Sequence, residues 1–585
     1  MNATTSKDPT NAEIADAFSE LGTLYELDGA VRYRVNAYRD AAKVMRQCPV
    51  SVAELTRAGK VTELPGIGKT SEEKIKALLE TGVIPSAEKL KAKFPATLVE
   101  VTRIPGLGSK TARRLFDEIG VASIDDLRQA IVEERIRSMK GLGPKAEENI
   151  AAQLLKLGSD GPAERVLLSD VLPLAEKLAA DLREHPASDA VAVAGSARRL
   201  TETCKDVDLI ATASEPKALA TALAEHPLAA AASNPGKGGV KITTQNGVSI
   251  DLRIVAPEAY GNLLQHFTGS AAHNIELRER AVKMGLSVSE HGITDVESGK
   301  VEQFRSEVEV YERLGLPYIE PELREGRGEI KAARDGELPD LVTQDDIKGD
   351  LHSHTTLSDG KNELSEMVDA ARSLGYSYFA ITDHSASHGF GDHVTPDMLS
   401  ERIEEIAELN ERIASRRFRV LAGSEVNILP DGSLDYEDSL LERLDWVVAS
   451  VHTSFRMTRP NMTKRMVAAV QHPLVDCLGH PSGRMLLRRE GYDFDIERVV
   501  EAAANAGTMI EINGNPNRRD LSEQNARLAA DAGVKICLNT DAHRVSTLVN
   551  MRYGIANARR GWLAKADVAN TRPWSEFKKL LKRDL

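Results

Sequence analysis

Along this chain of 585 residues the hydrophobic positions change their spacing from one region to the next. From Asn11 they fall three or four apart, at Ile14, Phe18, Leu21 and Leu24, the period of a helix with one buried face. A second helical stretch carries Ala42, Val44 and Met45. The pattern then breaks at three glycine turns, Leu64-Pro65-Gly66-Ile67-Gly68, Ile104-Pro105-Gly106-Leu107-Gly108 and Met139-Lys140-Gly141-Leu142-Gly143, each leading into a further helical pattern. Two strand-like runs follow, Ala190 to Ala194 and Val248 to Ile254. Glu320 to Asp346 is rich in charge, glycine and proline with little periodicity, which reads as a linker. Beyond it, seven strand-like runs alternate with helical stretches: Ile347 to His352, Tyr378 to Thr382, Arg419 to Ala422, Trp446 to Val451, Val475 to Leu478, Thr508 to Ile512 and Lys535 to Leu538. That alternation predicts a parallel α/β barrel. The expected fold class is multidomain α/β, a helical amino-terminal module followed by a sheet domain and a barrel.

Composition adds little to this picture, charge rather more. The hydrophobic fraction of 42% and charged fraction of 28% suit soluble globular domains, three or four at this length. Cys48, Cys204, Cys477 and Cys537 are scattered without a CxxC pair, so neither a disulfide framework nor a thiolate metal site is expected. With no secretory leader pattern and no apolar run of membrane-spanning length, a cytoplasmic protein without membrane contact is expected. The net charge of −13 argues weakly against nucleic acid, yet Ala30 to Leu115 holds 17 Lys and Arg against 8 Asp and Glu. A basic module on an acidic chain reads as a local phosphate-binding surface.

The first candidate chemistry lies in Gly195-Ser196-Ala197-Arg198-Arg199 and in Asp206-Val207-Asp208, which runs into Leu209-Ile210. Residues two apart on a strand face the same way, and strand interiors are poor in aspartate. With Asp251 in the other strand-like run, three carboxylates on adjacent strands would hold two hard divalent cations. Such a pair suits in-line phosphoryl transfer. The plain alternative is a turn with solvated acids. Gly195-Ser196, Arg199, Asp206-x-Asp208 and Asp251-x-Arg253 resemble the palm of family X DNA polymerases. The resemblance implies Mg²⁺ or Mn²⁺ on Asp206, Asp208 and Asp251, with Asp251 helping to deprotonate a primer 3′-hydroxyl. It also implies that Gly195, Ser196, Arg199 and Arg253 hold a nucleoside triphosphate.

Leu263 to Ser270, then Asn274 and Arg278, resemble the thumb of the same family. This implies that Phe267 and Gly269 lie against the incoming nucleotide and that Asn274 and Arg278 monitor the nascent pair. His266 stands where relatives carry tyrosine, which bears on ribonucleotide exclusion. The glycine turns recur at spacings of 40 and 35 residues and resemble helix-hairpin-helix motifs. Their glycines (Gly66, Gly68, Gly106, Gly108, Gly141 and Gly143) would bring backbone N–H groups to DNA phosphates. Lys140 replaces proline in the third. Lys74 and Asn36-Ala37-Tyr38 match the 5′-deoxyribose-phosphate lyase stretch of polymerase beta relatives, which implies a Schiff-base lysine at Lys74. A solvated helix lysine beside Glu72 and Glu73 is the alternative.

The second candidate chemistry is in the barrel. Nine of fourteen histidines lie between His352 and His543, and six follow strand-like runs. Six imidazoles with three carboxylates at strand ends demand cations, and the mixed donors suit Zn²⁺, Mn²⁺ or Fe²⁺ better than Mg²⁺ alone. The motifs resemble the polymerase and histidinol phosphatase (PHP) domain, whose nine ligands would be His352, His354, Asp359, His384, Glu425, His452, His480, Asp541 and His543. That implies up to three metal ions, Mn²⁺ or Zn²⁺, activating water for phosphoester hydrolysis. His388, His393 and His472 are left outside the site.

The whole order resembles bacterial family X polymerases with a carboxy-terminal PHP domain. It implies residues 1–90 as a DNA-binding, lyase-like helical domain, 91–158 as fingers with two further hairpins, and 159–256 as the palm. Residues 257–319 would be the thumb, 320–346 a linker, and 347–585 the phosphoesterase. The expected function is short-gap filling in base excision repair, coupled to 3′→5′ exonuclease, 3′-end processing or abasic-site cleavage. The expected partners are gapped or primed duplex DNA and dNTPs, with the chain monomeric. Three rivals are a Mn²⁺-dependent nuclease whose polymerase core mainly binds DNA ends, a non-catalytic end-binding scaffold, and a small-molecule phosphatase. The basic tail from Asn570 has no functional reading.

Overall fold

The computed structural model describes residues 8–48, 50–102, 104, 107–157, 165–387, 394–413 and 418–583. Backbone contacts divide the chain into two compact units. One comprises Met1–Val166, Asp170–Val193 and Lys205–Tyr260, and the other Leu167–Ser169, Ala194–Cys204 and Gly261–Leu585.

In the first unit, helix Asn11–Leu27 opens on a capping box between Thr10 and Glu13, which satisfies orphan N–H groups at its start. Ile14, Phe18, Leu21 and Leu24 are fully buried, as their spacing predicts. The first hairpin turns at Gly66 (φ 81°), and Gly68 caps helix Lys69–Thr81. Gly108 caps Ser109–Ile119. Gly141 (φ 84°) precedes helix Pro144–Leu157. Ile67 and Leu107, each between two hairpin glycines, are buried in the helical core; Gly106 lies outside the described residues.

The same unit holds a five-stranded mixed sheet: β1 (Ser188–Val193), β2 (Val207–Ala213), β3 (Ala229–Ala232), β4 (Gly239–Thr244) and β5 (Ser249–Ile254). Its order is β1-β2-β5-β4-β3. Only β2 and β5 pair in parallel. In β5, Ile250, Leu252 and Ile254 are buried while Asp251 and Arg253 face the other way, the alternation of a half-covered sheet.

In the second unit, helix Ala271–Lys283 and a three-stranded antiparallel sheet, β6 (Leu286–Ser289), β7 (Gly292–Asp295) and β8 (Val301–Glu302), are joined by helix Glu307–Arg313. They share a core of Leu277, Tyr311, Leu314, Ile319 and Leu323. The stretch 320–346, expected as a linker, instead carries helix Glu329–Asp335 and two 3₁₀ turns. Arg324 and Glu329 are fully buried there. Arg324 donates to the Ile319 carbonyl at 2.8 Å, pairs with Glu307 and lies 5.1 Å from the Tyr311 and Tyr318 rings. Burial would raise the Glu307 carboxyl, yet Arg324 and Arg198 hold it below the usual carboxylate range. Glu329 meets His273 Nδ1 at 2.7 Å and accepts the Gly326 and Arg327 N–H groups at 2.7 Å each. The segment hides its order from periodicity because polar networks, rather than an apolar stripe, tie it down.

The seven runs beyond it are all strands: β9 (Gly349–Asp350), β10 (Tyr378–Ile381), β11 (Arg419–Asn427), β12 (Trp446–Ser450), β13 (Cys477–Leu478), β14 (Met509–Asn513) and β15 (Ile536–Asn539). They run parallel in sequence order. The seam between β15 and β9 is nearly closed by side chains. Asn570 Nδ2 donates to the Gly349 and Leu538 carbonyls at 2.7 Å each, and Asn539 Oδ1 accepts the Leu351 N–H at 3.1 Å. A parallel bridge joins Ser353 to Ala542. Inward-facing Tyr378, Leu421, Trp446, Val448 and Cys537 form an inner core with Phe577, which stacks on Tyr378 at 4.8 Å. Arg583 pairs with buried Asp476. The basic tail therefore packs into the barrel as its floor. Among the described residues, no helix is long and apolar enough to cross a membrane.

Candidate active sites

The barrel positions the richest cluster. His352 and His354 follow β9, His384 follows β10, Glu425 lies in β11, His452 and His480 follow β12 and β13, and Asp541 and His543 follow β15. Asp359 sits in the loop after His354. Its loop is held by Asp383, which accepts from Thr355 N and Oγ1 at 2.7 Å each and from Ser358 Oγ at 2.8 Å. All nine expected ligands thus converge at the C-terminal ends of the strands.

Glu425 is the hub. Its Oε1 lies 2.8 Å from His480 Nε2 and 3.1 Å from His452 Nε2. Its Oε2 lies 2.9 Å from His384 Nδ1, 3.3 Å from His352 Nε2 and 3.7 Å from His354 Nε2. Although these contacts are close, neither Glu425 oxygen makes a hydrogen bond, nor do His352 Nε2 or either nitrogen of His354. Buried polar atoms are normally paired, so close approach without hydrogen-bond geometry marks donors gathered around shared centres. Three overlapping sets have donor atoms within 4.8 Å of one another: His354, Asp359, His384 and His543; His352, His354 and Asp541; His384, Glu425 and His452. Such imidazole and carboxylate sets fit divalent metal ions.

The electrostatics of His354 and His452 agree with that fit. Burial, helped by the neighbouring His543 and His384 rings, pushes His354 down to about 4, and burial pushes His452 down to about 3. Both are neutral near pH 7, the form that ligates. His543 is half-buried, and although desolvation would lower it, Asp359 and Asp541 bring it up to about 9. His480 (φ 25°) and Asp541 (φ 54°) hold left-handed backbones, local strain of the sort kept at functional sites.

Sequence reasoning missed Glu511. It is fully buried in β14, accepts His480 N–H at 2.7 Å and Asn539 Nδ2 at 2.9 Å, and meets His352 Nδ1 at 2.7 Å. By taking the Nδ1 proton it turns His352 Nε2 toward the cluster, as carboxylates behind metal-binding histidines do. The signal was a glutamate between Ile510 and Ile512 in a buried strand. Glu511→Gln is expected to weaken divalent-metal binding about 10- to 100-fold in a calorimetric titration with Mn²⁺, and an unchanged affinity would refute the role.

In the sheet of the first unit, Asp208 and Asp251 are register neighbours on parallel β2 and β5, and Asp206 immediately precedes β2. Their side chains are half-buried. Among the described residues, the donor sets within 4.8 Å all lie in the barrel. Asp251 Oδ2 instead takes an ion pair of 3.1 Å with Arg253. In the same unit, Lys74 Nζ stands 5.7 Å above the Tyr38 ring, while Glu72 pairs with Lys76. Lys69, Lys110 and Lys145, all exposed in the first turns of the hairpin helices, are further cations that the glycine pattern alone did not single out.

In the second unit, Gly195 (φ 64°) opens the short helix Gly195–Arg198, which holds Ser196. Arg199 donates to the Thr268 carbonyl at 2.8 Å and pairs with Glu325 at 2.9 Å. Asn274 is buried: its Nδ2 donates to the His266 carbonyl at 2.8 Å and its Oδ1 accepts from Gln265 at 3.0 Å. A Cβ on Gly269 would lie 2.6 Å from Asn274 Oδ1, so the turn needs glycine there. Phe267 is half-buried beside His266, and Arg278 is exposed.

Family models match as helix-hairpin-helix domain over residues 9–84, SAM-like helix-hairpin-helix tandem over 59–118 and 98–155, DNA polymerase beta thumb over 263–325, and PHP domain over 350–515. DNA polymerase/3'-5' exonuclease PolX of Bacillus subtilis (strain 168) is 36% identical over 98% of this chain and 99% of its own. A probable phosphatase of Thermoanaerobacter sp. (strain X514) is 32% identical over 33% of this chain and 78% of its own. Another from Caldanaerobacter subterraneus is 30% identical over 33% of this chain and 75% of its own. The match to the Bacillus protein runs through hairpin module, five-stranded sheet, thumb and barrel of this chain, and the chain belongs to the PolX family, family X DNA polymerases that carry a PHP domain.

Proposed function

We propose that this protein fills short gaps in damaged DNA with its polymerase core and trims or prepares 3′ ends with its barrel. The observation that carries the second half is the gathering of nine imidazole and carboxylate side chains at the strand ends, five histidines of them around Glu425. The first half rests on the register pairing of Asp208 with Asp251. Divalent metal ions, when bound, would stabilise phosphoryl oxygens and lower the pKa of water. Asp206, Asp208 and Asp251 would hold two Mg²⁺ or Mn²⁺ ions, and Asp251 would accept the 3′-hydroxyl proton. Ser196, Arg199 and Arg253 would bind the triphosphate, and the hairpin backbones would grip phosphates of gapped duplex DNA. In the barrel the nine ligands would hold Mn²⁺ or Zn²⁺. The enzyme would act as a cytoplasmic monomer, in domains bounded as the sequence suggests except that the stretch 320–346 is a packed element.

The test uses a 5′-labelled primer on a gapped duplex in Mn²⁺. Extension with dNTPs and shortening without them are expected, and a wild-type protein that shortens but never extends would replace this reading with a nuclease. Likeness of the barrel to probable phosphatases supports a second substrate, a blocking 3′-phosphate. Release of inorganic phosphate from a 3′-phosphorylated primer checks it.

The match of Lys74 and Asn36-Ala37-Tyr38 to the lyase stretch of polymerase beta relatives supports a lyase role, and Lys74 Nζ lies 5.7 Å from the Tyr38 ring. Borohydride is expected to trap wild type on a 5′-deoxyribose-phosphate duplex, with Lys74→Ala trapped at least about 100-fold less, the usual scale for loss of a covalent catalyst. Equal trapping would remove Lys74 from the mechanism.

A further inference from the structure

The segment Ala194–Cys204, which carries Ser196 and Arg199, belongs to the same compact unit as the barrel, and the barrel grips it through three arginines. Arg519 is almost wholly buried and donates from its two terminal nitrogens to the Leu200 and Thr201 carbonyls at 2.9 and 3.0 Å. Arg560 donates to the Arg199 carbonyl at 2.9 Å, and binds Glu325 at 2.7 Å and Glu523 at 3.1 Å. Glu325 is also the partner of Arg199, so Arg199 and Arg560 share one carboxylate. Arg484 pairs with Glu202; its Nε donates to the Arg518 carbonyl at 3.0 Å. Leu200, at the centre of the grip, holds a φ of 55°, a backbone an unbranched turn would relax if released.

Three consecutive carbonyls of one turn, Arg199, Leu200 and Thr201, are therefore fixed by guanidinium groups anchored in the barrel rather than by the segment's own neighbours. Burying an arginine without an excess of carboxylates is costly, and burial brings Arg519 down to about 10 despite Glu202 and Glu523 nearby. Its rigid fork meets two carbonyls at once, which fixes the direction of the chain that carries Ser196 and Arg199.

We propose that Arg519, with Arg560 and Arg484, acts as a positioning residue for nucleotide binding, so that the dNTP affinity of the polymerase is set from the barrel domain. The inference rests on the proposed role of Ser196 and Arg199. A turn freed from the barrel would still carry both side chains but would spend binding energy on ordering them. The cost falls on KM for dNTP, whereas the carboxylates on β2 and β5 are untouched.

The experiment is steady-state single-nucleotide gap filling by the full chain, with dNTP varied, beside Mn²⁺-dependent shortening of a single-stranded primer. Arg519→Met is expected to raise KM for dNTP about tenfold while kcat and the shortening rate stay within about twofold, and Arg519→Lys to recover part of the loss. Glu202→Gln, a milder change at the same grip, is expected to raise KM about threefold and serves if Arg519→Met does not fold. An unchanged KM in the folded variants, or an equal fall of extension and shortening, overturns the proposal. A wild-type protein that does not extend at all overturns the polymerase reading instead.

Discussion

Asp208→Ala is expected to lower primer extension by on the order of 10³-fold or more, the scale seen when one group stabilising transition-state charge is removed, and to leave 3′-end shortening at its wild-type rate. The argument starts from the strand. Val207 and Leu209 are buried on one face of β2, and the half-buried aspartate between them points to the other face, so alanine there leaves the packing of Val207 and Leu209 in place. Asp208 lies directly beside Asp251 across a parallel pairing, and like charges side by side destabilise a sheet. Removing one carboxylate should therefore hold or raise the melting temperature of the metal-free protein while extension is lost. A stable, inactive variant separates catalytic loss from misfolding. Extension above about one-tenth of wild type would show that the pair does not hold the catalytic ions.

Much of this was legible in the sequence because it is written in short-range patterns. The seven barrel strands were found from apolar runs between helical stretches, and the nine candidate ligands from their places after or within those runs; the structure brings eight of them into three overlapping donor sets and the ninth, His480, onto Glu425. What escaped notice depends on long-range polar contacts. Glu511 in β14 drew no reading from the sequence, because its meaning comes only from His352, 159 residues away. The stretch 320–346 looked like a linker because Arg324 and Glu329 carry charge, and residue type alone does not tell a buried pair from a solvated one. Asn274, which the resemblance makes a monitor of the nascent pair, also ties its own turn through the His266 and Gly269 carbonyls, contacts that spacing alone does not announce. The tail looked merely basic, although Phe577 fills the barrel floor.

Glu425→Gln is expected to abolish shortening, again by on the order of 10³-fold, and to leave extension intact. The substitution keeps the volume and removes one negative charge at the point where five imidazoles meet. Buried Glu425 would be raised by desolvation, but His452, His352 and His384 hold it far below the usual carboxylate range, so it is anionic at any pH where the enzyme works. Its charge is present above the unfolded carboxylate pKa and would be lost only as pH fell through the much lower folded value. A glutamine offers the cluster an N–H₂ donor and a weaker oxygen, and a divalent ion would exchange a charged ligand for a neutral one. Wild type saturated with Mn²⁺ at 100 times its Kd should gain about 2.7 kcal/mol of stability over the metal-free protein. Glu425→Gln should show only a small part of that gain under the same Mn²⁺ concentration. The metal-free variant should itself be less stable than metal-free wild type, because protonated His352 loses a buried counter-charge, a change worth about 3–5 kcal/mol when such pairs are broken. If Mn²⁺ stabilises the variant as much as wild type while shortening is lost, Glu425 acts on the substrate rather than on the metal, and the barrel's ligand set must be redrawn around Asp359 and Asp541.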